Sequence, residues 1–197
     1  MVKEKGHLIV ISGPSGVGKG TLIKIIFKNI PNLSYSVSVT TRKPRKEERE
    51  GVDYFFVDEG TFKKYIEEHK FAEWAMVHGD YKGTLISTIN ETLTDGKDLI
   101  LEIDVQGALE IKNKYPEGIF IFIAPPSWEK LEERLRGRST EDEQNLKKRL
   151  NDARCEMEYK KYYDYVVVND ELEKAARKLE AIIVSERDKC KKSQNSL

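Results

Sequence analysis

The sequence predicts an α/β fold, with a parallel sheet covered by helices on both faces and interrupted once by a small β-rich insert. Three observations predict it. Strand-length apolar runs alternate with helix-length amphipathic segments along most of the 197 residues. A glycine-rich turn joins the first strand directly to the first helix. The run Gly118-Ile119-Phe120-Ile121-Phe122-Ile123-Ala124 is almost continuously apolar, as a central parallel strand buried on both faces should be.

Taken in order, Ile9-Val10-Ile11 is the first strand, and a helix begins at about Thr21. Pro31-Asn32 marks a turn, and Tyr35 to Thr40 alternates as a half-exposed strand. The loop Thr41 to Gly51 is highly charged, and Pro44 keeps regular structure from crossing it. Val52 to Val57 reads as a strand, Asp58 to His69 as a helix and Phe71 to His78 as another strand; Gly79-Asp80 turns the chain before Tyr81-Lys82-Gly83-Thr84. This β-rich patch is the insert. The alternation resumes with a helix over Leu85–Leu93, a strand over Lys97–Asp104, a helix over Gln106–Lys114 and the apolar strand ending at Pro125-Pro126. Ser127 has the chemistry of an N-cap for a helix over Trp128–Arg136. An arginine-rich loop, a charged helix from Glu141 to Tyr159, the strand Tyr165–Val168 and a helix over Glu171–Arg187 complete the pattern, followed by a polar tail expected to fray.

Composition narrows the function class. Lys+Arg and Asp+Glu number 34 each, so no overall charge draws the chain to nucleic acid or to an anionic membrane, and any basic site must be local. No apolar segment approaches the length of a membrane span, and no secretory apolar region precedes the first strand. Two cysteines without metal-binding spacing, Cys155 and Cys190, fit ordinary helix positions in a reduced, cytoplasmic protein. The histidines at 7, 69 and 78 open a strand, end a helix and precede a turn, and none suggests a catalytic base.

The stretch Gly13-Pro14-Ser15-Gly16-Val17-Gly18-Lys19-Gly20-Thr21 carries the strongest chemistry. Its Gly-x4-Gly-Lys spacing between strand and helix fits a loop whose successive N–H groups cradle a phosphate chain, with Lys19 as a movable cation. The residue after the lysine is Gly20, so the nearest hydroxyl for a metal is that of Thr21. Arg42 and Arg45 flank Pro44 and suit a bidentate grip on a second phosphate. Glu102 and Asp104 are expected on one face of a strand, at the C-terminal end where such sheets bind ligands.

With the glycine loop, Ser38-x-x-x-Arg42-x-x-Arg45, Tyr54, Glu73-Trp74-Ala75, Asp104-x-Gln106-Gly107, Ala124-Pro125-Pro126-Ser127 and Asn169-Asp170 in this order, the sequence resembles the guanylate kinases from about His7 to Ile183. The resemblance implies a P-loop NTPase core (6–36, 85–133 and 161–188), a GMP-binding subdomain (37–84), a lid (134–160) and the polar tail 189–197. It implies transfer of the terminal phosphoryl group of ATP to GMP, and to dGMP, with Mg²⁺, in purine metabolism and GMP recycling. By matching position, Arg42, Arg45 and Tyr54 are expected to grip the GMP phosphate, and Ser38, Glu73 and Thr84 to read guanine. Lys19, Arg138 and Arg149 are the expected catalytic cations, with Arg134 and Asn169 beside ATP and Asp104, with Glu102, near the metal-bound water or the GMP site. Magnesium is expected to be held mainly by phosphates and water, near Thr21 and Asp104. Gly-Lys-Gly-Thr resembles the loop of nucleoside monophosphate kinases more than that of GTPases.

The chain departs from the family pattern twice. Lys82 stands where the family has tyrosine, with Tyr81 one place earlier and therefore on the opposite strand face. Ser139 follows Arg138 where the family has glycine. Two rival functions are a protein-binding module, as in scaffold proteins with guanylate kinase-like domains, and a kinase for another acceptor such as a ribose bisphosphate. The intact glycine loop argues against the first, and Glu73 with Thr84 against the second. Oligomeric state, monomer or small homo-oligomer, is left open.

Overall fold

A computed structural model describes residues 5–77, 79–137 and 143–194. The chain divides into two compact units, one formed by Met1–Leu8, Ser34–Leu101 and Gln106–Gly118, the other by Ile9–Leu33, Glu102–Val105 and Ile119–Leu197.

The second unit carries the parallel sheet. Its strands are β1 (Leu8–Ser12), β8 (Ile119–Ala124) and β9 (Tyr165–Val168). β1 pairs with β8 through Ile9 opposite Ile119, and β8 with β9 through Ile121 opposite Tyr165, both in parallel. Every residue of β1 and β8 is buried, which explains why neither run alternates. Helices α1 (Lys19–Asn29) and α7 (Leu172–Gln194) pack together, and Asn29 Nδ2 donates to Glu180 at 2.6 Å. On α5 (Trp128–Arg136), the Ser127 side chain accepts from Lys130 N at 3.3 Å, as an N-cap should. α6 (Glu143–Glu158) follows and tightens into a 3₁₀ turn over Tyr159–Tyr162. Phe122, Val105 and Ala124 are packed there against Met157, Tyr159, Tyr163 and Val166.

The other unit holds β2 (Leu33–Tyr35) beside β7 (Asp98–Glu102), with Ser36 N donating to Ile100 O at 2.9 Å. A separate four-stranded sheet has the order β4-β3-β6-β5, from β3 (Val39–Thr40), β4 (Phe55–Phe56), β5 (Phe71–Val77) and β6 (Asp80–Leu85). Between β4 and β5 runs α2 (Glu59–Glu67), capped by the Asp58 side chain on Thr61 N at 2.8 Å. Phe62 is fully buried and stacks on Phe71 at 4.4 Å and on Tyr81 at 5.2 Å, with Val39 completing the cluster. α3 (Ile86–Thr94) leads to β7, and α4 (Val105–Lys114) follows it.

Several expected boundaries shift. The single strand expected from Tyr35 to Thr40 is two strands in two sheets, because the chain changes partners at Ser36–Ser38. The strand expected over Val52–Val57 is only Phe55–Phe56; Val52 N and Asp53 N both turn back onto the Arg49 carbonyl. β7 ends at Glu102, so Asp104 lies beyond the strand and the shared strand face expected for the pair does not exist. The last helix runs on to Gln194 through part of the tail expected to fray.

Phe62 makes stability of the first unit testable. Replacing it by alanine removes a buried ring stacked on two others, and is expected to destabilise the protein by about 3–5 kcal/mol in urea unfolding. A loss below about 1 kcal/mol would contradict this packing.

Candidate active site

Ser12 closes β1 by donating its buried hydroxyl to the Ile103 carbonyl at 2.8 Å. The chain then turns through Gly13 to Gly18 into α1. Gly18 is the N-cap of that helix, in the left-handed region at φ 97°, and it brings no side-chain cap; nor does the first turn carry an acidic residue. The helix therefore carries no side-chain cap of its own, and its positive N-terminal end is suited to an anion. Space also demands glycine, since a Cβ at Gly18 would stand 2.6 Å from Nδ2 of Asn169.

Asn169, expected beside the adenine of ATP, also braces this loop. It is buried, its N–H donates to Ala124 O at 2.8 Å and its Nδ2 donates to Val17 O at 2.8 Å. Arg134 reinforces it, donating to the carbonyls of Asn169 at 2.8 Å and Val17 at 3.3 Å. Gly16, Gly18, Thr21, Arg134, Gly137, Asn169, Asp170 and Leu172 line an open cleft of about 370 Å³. Lys19 lies across the loop, its Nζ donating to Gly13 O at 2.5 Å and Pro14 O at 3.2 Å.

α6 reaches the same loop with two residues seven apart, two turns along one helix face. Arg149 Nη2 donates to Ser15 Oγ at 3.1 Å, and Glu156 Oε2 accepts from Ser15 N at 3.4 Å. Burial pushes the Glu156 carboxyl up, assisted by the charges of Asp104 and Asp152 and opposed by Lys19 and the Ser15 amide. Glu102 comes close to α1 as well: a Cβ on Gly20 would lie 3.7 Å from its Oε2, an ordinary contact, so sterics do not require glycine at that position. Arg138 and Ser139 lie outside the described residues.

The other unit holds the second set of candidates. Glu73 on β5 faces Thr84 on β6 across the strand pair, and the Thr84 hydroxyl donates to Glu73 Oε1 at 2.5 Å. Both are buried, as is Ser38 just before β3. Lys82, two residues from Thr84 on the same strand face, places Nζ 5.3 Å from the centroid of the Tyr54 ring. Arg42 Cζ is also 5.3 Å from that centroid, so two cations share one aromatic ring. The intervening Tyr81 points the other way and stacks on Phe62, which removes it as a substitute for the missing tyrosine.

Sequence reasoning missed Glu48. Its carboxylate accepts from Arg42 Nη2 at 2.8 and 2.9 Å and from the Arg45 amide at 2.8 Å, fixing one edge of the guanidinium. Arg42 holds the Glu48 carboxyl below the usual carboxylate range, and Glu48 holds the Arg42 pKa up in turn. The only sequence signal is spacing within a charged loop, which does not separate Glu48 from Glu47 or Glu50. Glu156 was missed for a similar reason, being one acid among many on a charged helix.

A buried parallel sheet, a glycine loop at a strand end and a helix N-terminus offered to an anion define a P-loop nucleotide-binding protein. The comparisons with known proteins narrow that class. The sequence model of the guanylate kinase family matches residues 5–186. Guanylate kinase of Halalkalibacterium halodurans is 50% identical over 194 residues, covering 98% of this chain and 94% of the relative. That of Bacillus subtilis is 49% identical over 186 residues, covering 94% and 91%. The crystal structure of guanylate kinase from Anaplasma phagocytophilum superposes with a TM-score of 0.74 at 34% identity, covering 94% of this chain and 88% of that one. The chain belongs to the guanylate kinase family.

The loop brace yields a direct test. Asn169→Ala removes the donor to the Val17 carbonyl and is expected to cost about 1–3 kcal/mol of stability and to raise KM for ATP. A variant of unchanged stability and unchanged KM for ATP would show that the brace is dispensable.

Proposed function

We propose that the chain transfers the γ-phosphoryl group of ATP to GMP, giving ADP and GDP, with dGMP as a second acceptor. The observation that carries this reading is the buried pair Glu73–Thr84. Guanine presents N1–H and N2–H₂ donors on one edge, which a carboxylate accepts together, and O6 as an acceptor for the hydroxyl of Ser38, that of Thr84 being donated to Glu73. Adenine has an acceptor at N1 and no 2-amino group, so it would leave a buried carboxylate facing a lone pair. Mismatches of this kind discriminate by roughly 10⁴–10⁵-fold.

The remaining candidates divide by substrate. Gly13, Pro14, Ser15, Gly16, Val17, Gly18, Lys19, Gly20 and Thr21 hold the ATP phosphates, with the nucleoside in the cleft between Arg134 and Asn169. Arg42, Arg45, Tyr54 and Lys82 hold the phosphate of GMP, where the ring of Tyr54 orients two of the three cations. Phosphoryl transfer needs little covalent chemistry from the protein, so positioning and charge neutralisation supply most of the acceleration. Lys19 moves from the loop carbonyls onto the transferring group, and Arg149 and Arg138 add positive charge there. Magnesium, when bound, neutralises the β- and γ-phosphates. The ion would be held mainly by phosphates and water, near Thr21 and Asp104.

The functional divisions follow the same assignment, with a core at 6–36, 85–133 and 161–188, a GMP-binding subdomain at 37–84 and a lid at 134–160. Closure of the lid would limit wasteful hydrolysis of ATP. No helix among the described residues is long and apolar enough to cross a membrane. A cytoplasmic enzyme of purine metabolism and GMP recycling, acting as a monomer or small homo-oligomer without nucleic acid or membrane, is the setting we infer.

A coupled assay of ATP with GMP, dGMP, AMP and UMP tests the function. Turnover is expected with the two guanine nucleotides, and none with GMP would overturn the reading. Turnover with a different acceptor alone would identify another kinase, and ligand binding without turnover a binding module. Lys82→Ala is expected to raise KM for GMP about tenfold while leaving KM for ATP unchanged, the cost of roughly one charge-assisted hydrogen bond. An unchanged KM for GMP would exclude Lys82 from the phosphate site.

A further inference from the structure

We propose that Gly107 is a positioning residue for the choice of acceptor base: its missing side chain is what lets the Glu73 carboxylate sit against helix α4. The proposal rests on the guanine reading of Glu73 and adds the element that sets where that carboxylate stands. A Cβ built on Gly107 would lie 2.8 Å from Oε2 of Glu73, 3.3 Å from its Cδ and 3.5 Å from its Cγ. The other carboxylate oxygen is already committed, since Oε1 accepts from Thr84 at 2.5 Å. Glu73 is only 4% exposed, so its carboxylate has no solvent-facing position to retreat to.

Backbone conformation does not account for the glycine. Gly107 is absent from the positive-φ glycines and occupies the third position of a ten-residue helix, where alanine is ordinarily the better helix former. Its retention there works against helix propensity, and the contact with Glu73 supplies a reason. The helix has little freedom to withdraw from an added methyl. At its far end Lys114 Nζ donates to the Ala72 carbonyl at 2.5 Å, one residue from Glu73 on the same strand. The carboxylate is therefore the group that yields, at the cost of the Thr84 bond and of the alignment with N1–H and N2–H₂ of guanine.

The test is a double-mutant cycle of Gly107→Ala and Glu73→Ala, assayed with GMP and with IMP, which lacks the 2-amino group. In Gly107→Ala, kcat/KM for GMP is expected to fall roughly 10- to 100-fold, the range spanned by one hydrogen bond to a charged group. The preference for GMP over IMP is expected to shrink, and KM for ATP to stay unchanged. In the Glu73→Ala background the same substitution is expected to change kcat/KM for GMP less than about twofold, because a residue acting through another loses its effect when that partner is gone. The double variant is expected to melt no lower than Glu73→Ala, since its methyl meets open space and favours the helix. A Gly107→Ala enzyme with wild-type preference for GMP over IMP, or losses that multiply in the double variant, would overturn the proposal. If Glu73→Ala alone leaves both GMP turnover and that preference intact, the guanine reading fails at its source, and the cycle distinguishes the two failures.

Discussion

A carboxylate only 4% exposed has to be partnered, and this requirement organises the strand pair β5–β6. Thr84 satisfies one oxygen of Glu73. The cross-strand pairing of β5 and β6 brings them together, and the register shift between Phe71 and Glu73 sets which residues face each other. The aromatic cluster of Phe62, Phe71 and Tyr81 holds those strands from beneath. The same alternation that stacks Tyr81 on Phe62 sends Lys82 and Thr84 to the opposite face, so one strand carries both the aromatic packing and the partner of the buried carboxylate. Aromatic packing and the pairing of the carboxylate are thus two faces of one register.

The donor side follows a different rule. An anion carrying several charges is best met by many weak, fixed donors, and a glycine N-cap puts no capping side chain on the first turn of α1. The loop keeps its shape by bracing from outside: Asn169 and Arg134 both donate to Val17, and Arg149 and Glu156 both bind Ser15. Helix α6 therefore touches the phosphate loop with both a cation and a carboxylate, and its position is coupled to the loop's.

Much of this was legible in the sequence because it rests on local rules. The continuous apolar run of β8, the Ser127 cap and the glycine loop followed from periodicity and turn chemistry, and the family followed from motifs kept in order. What escaped depends on partners distant in sequence. A break of three residues separates β2 from β3, and an alternating pattern contains no sign that its two halves enter different sheets. That Asn169 also braces the loop was not visible, because its amide meets a carbonyl 152 positions away. Glu48 and Glu156 were two acids among 34 Asp and Glu residues, and only their neighbours in space single them out. Gly107 belongs to the Asp104-x-Gln106-Gly107 motif, but the sequence does not show that a side chain there would strike Glu73.

The central claim is that the phosphate loop holds ATP and the Glu73–Thr84 pair reads the acceptor base, as separable recognition events. Calorimetric titration of Lys19→Ala and Glu73→Ala, each with GMP and with a non-hydrolysable ATP analogue, tests it most directly. The account predicts a crossed result: Lys19→Ala loses affinity for the ATP analogue and keeps that for GMP, while Glu73→Ala does the reverse. Equal loss of both ligands in either variant, or undiminished GMP binding by Glu73→Ala, would contradict it.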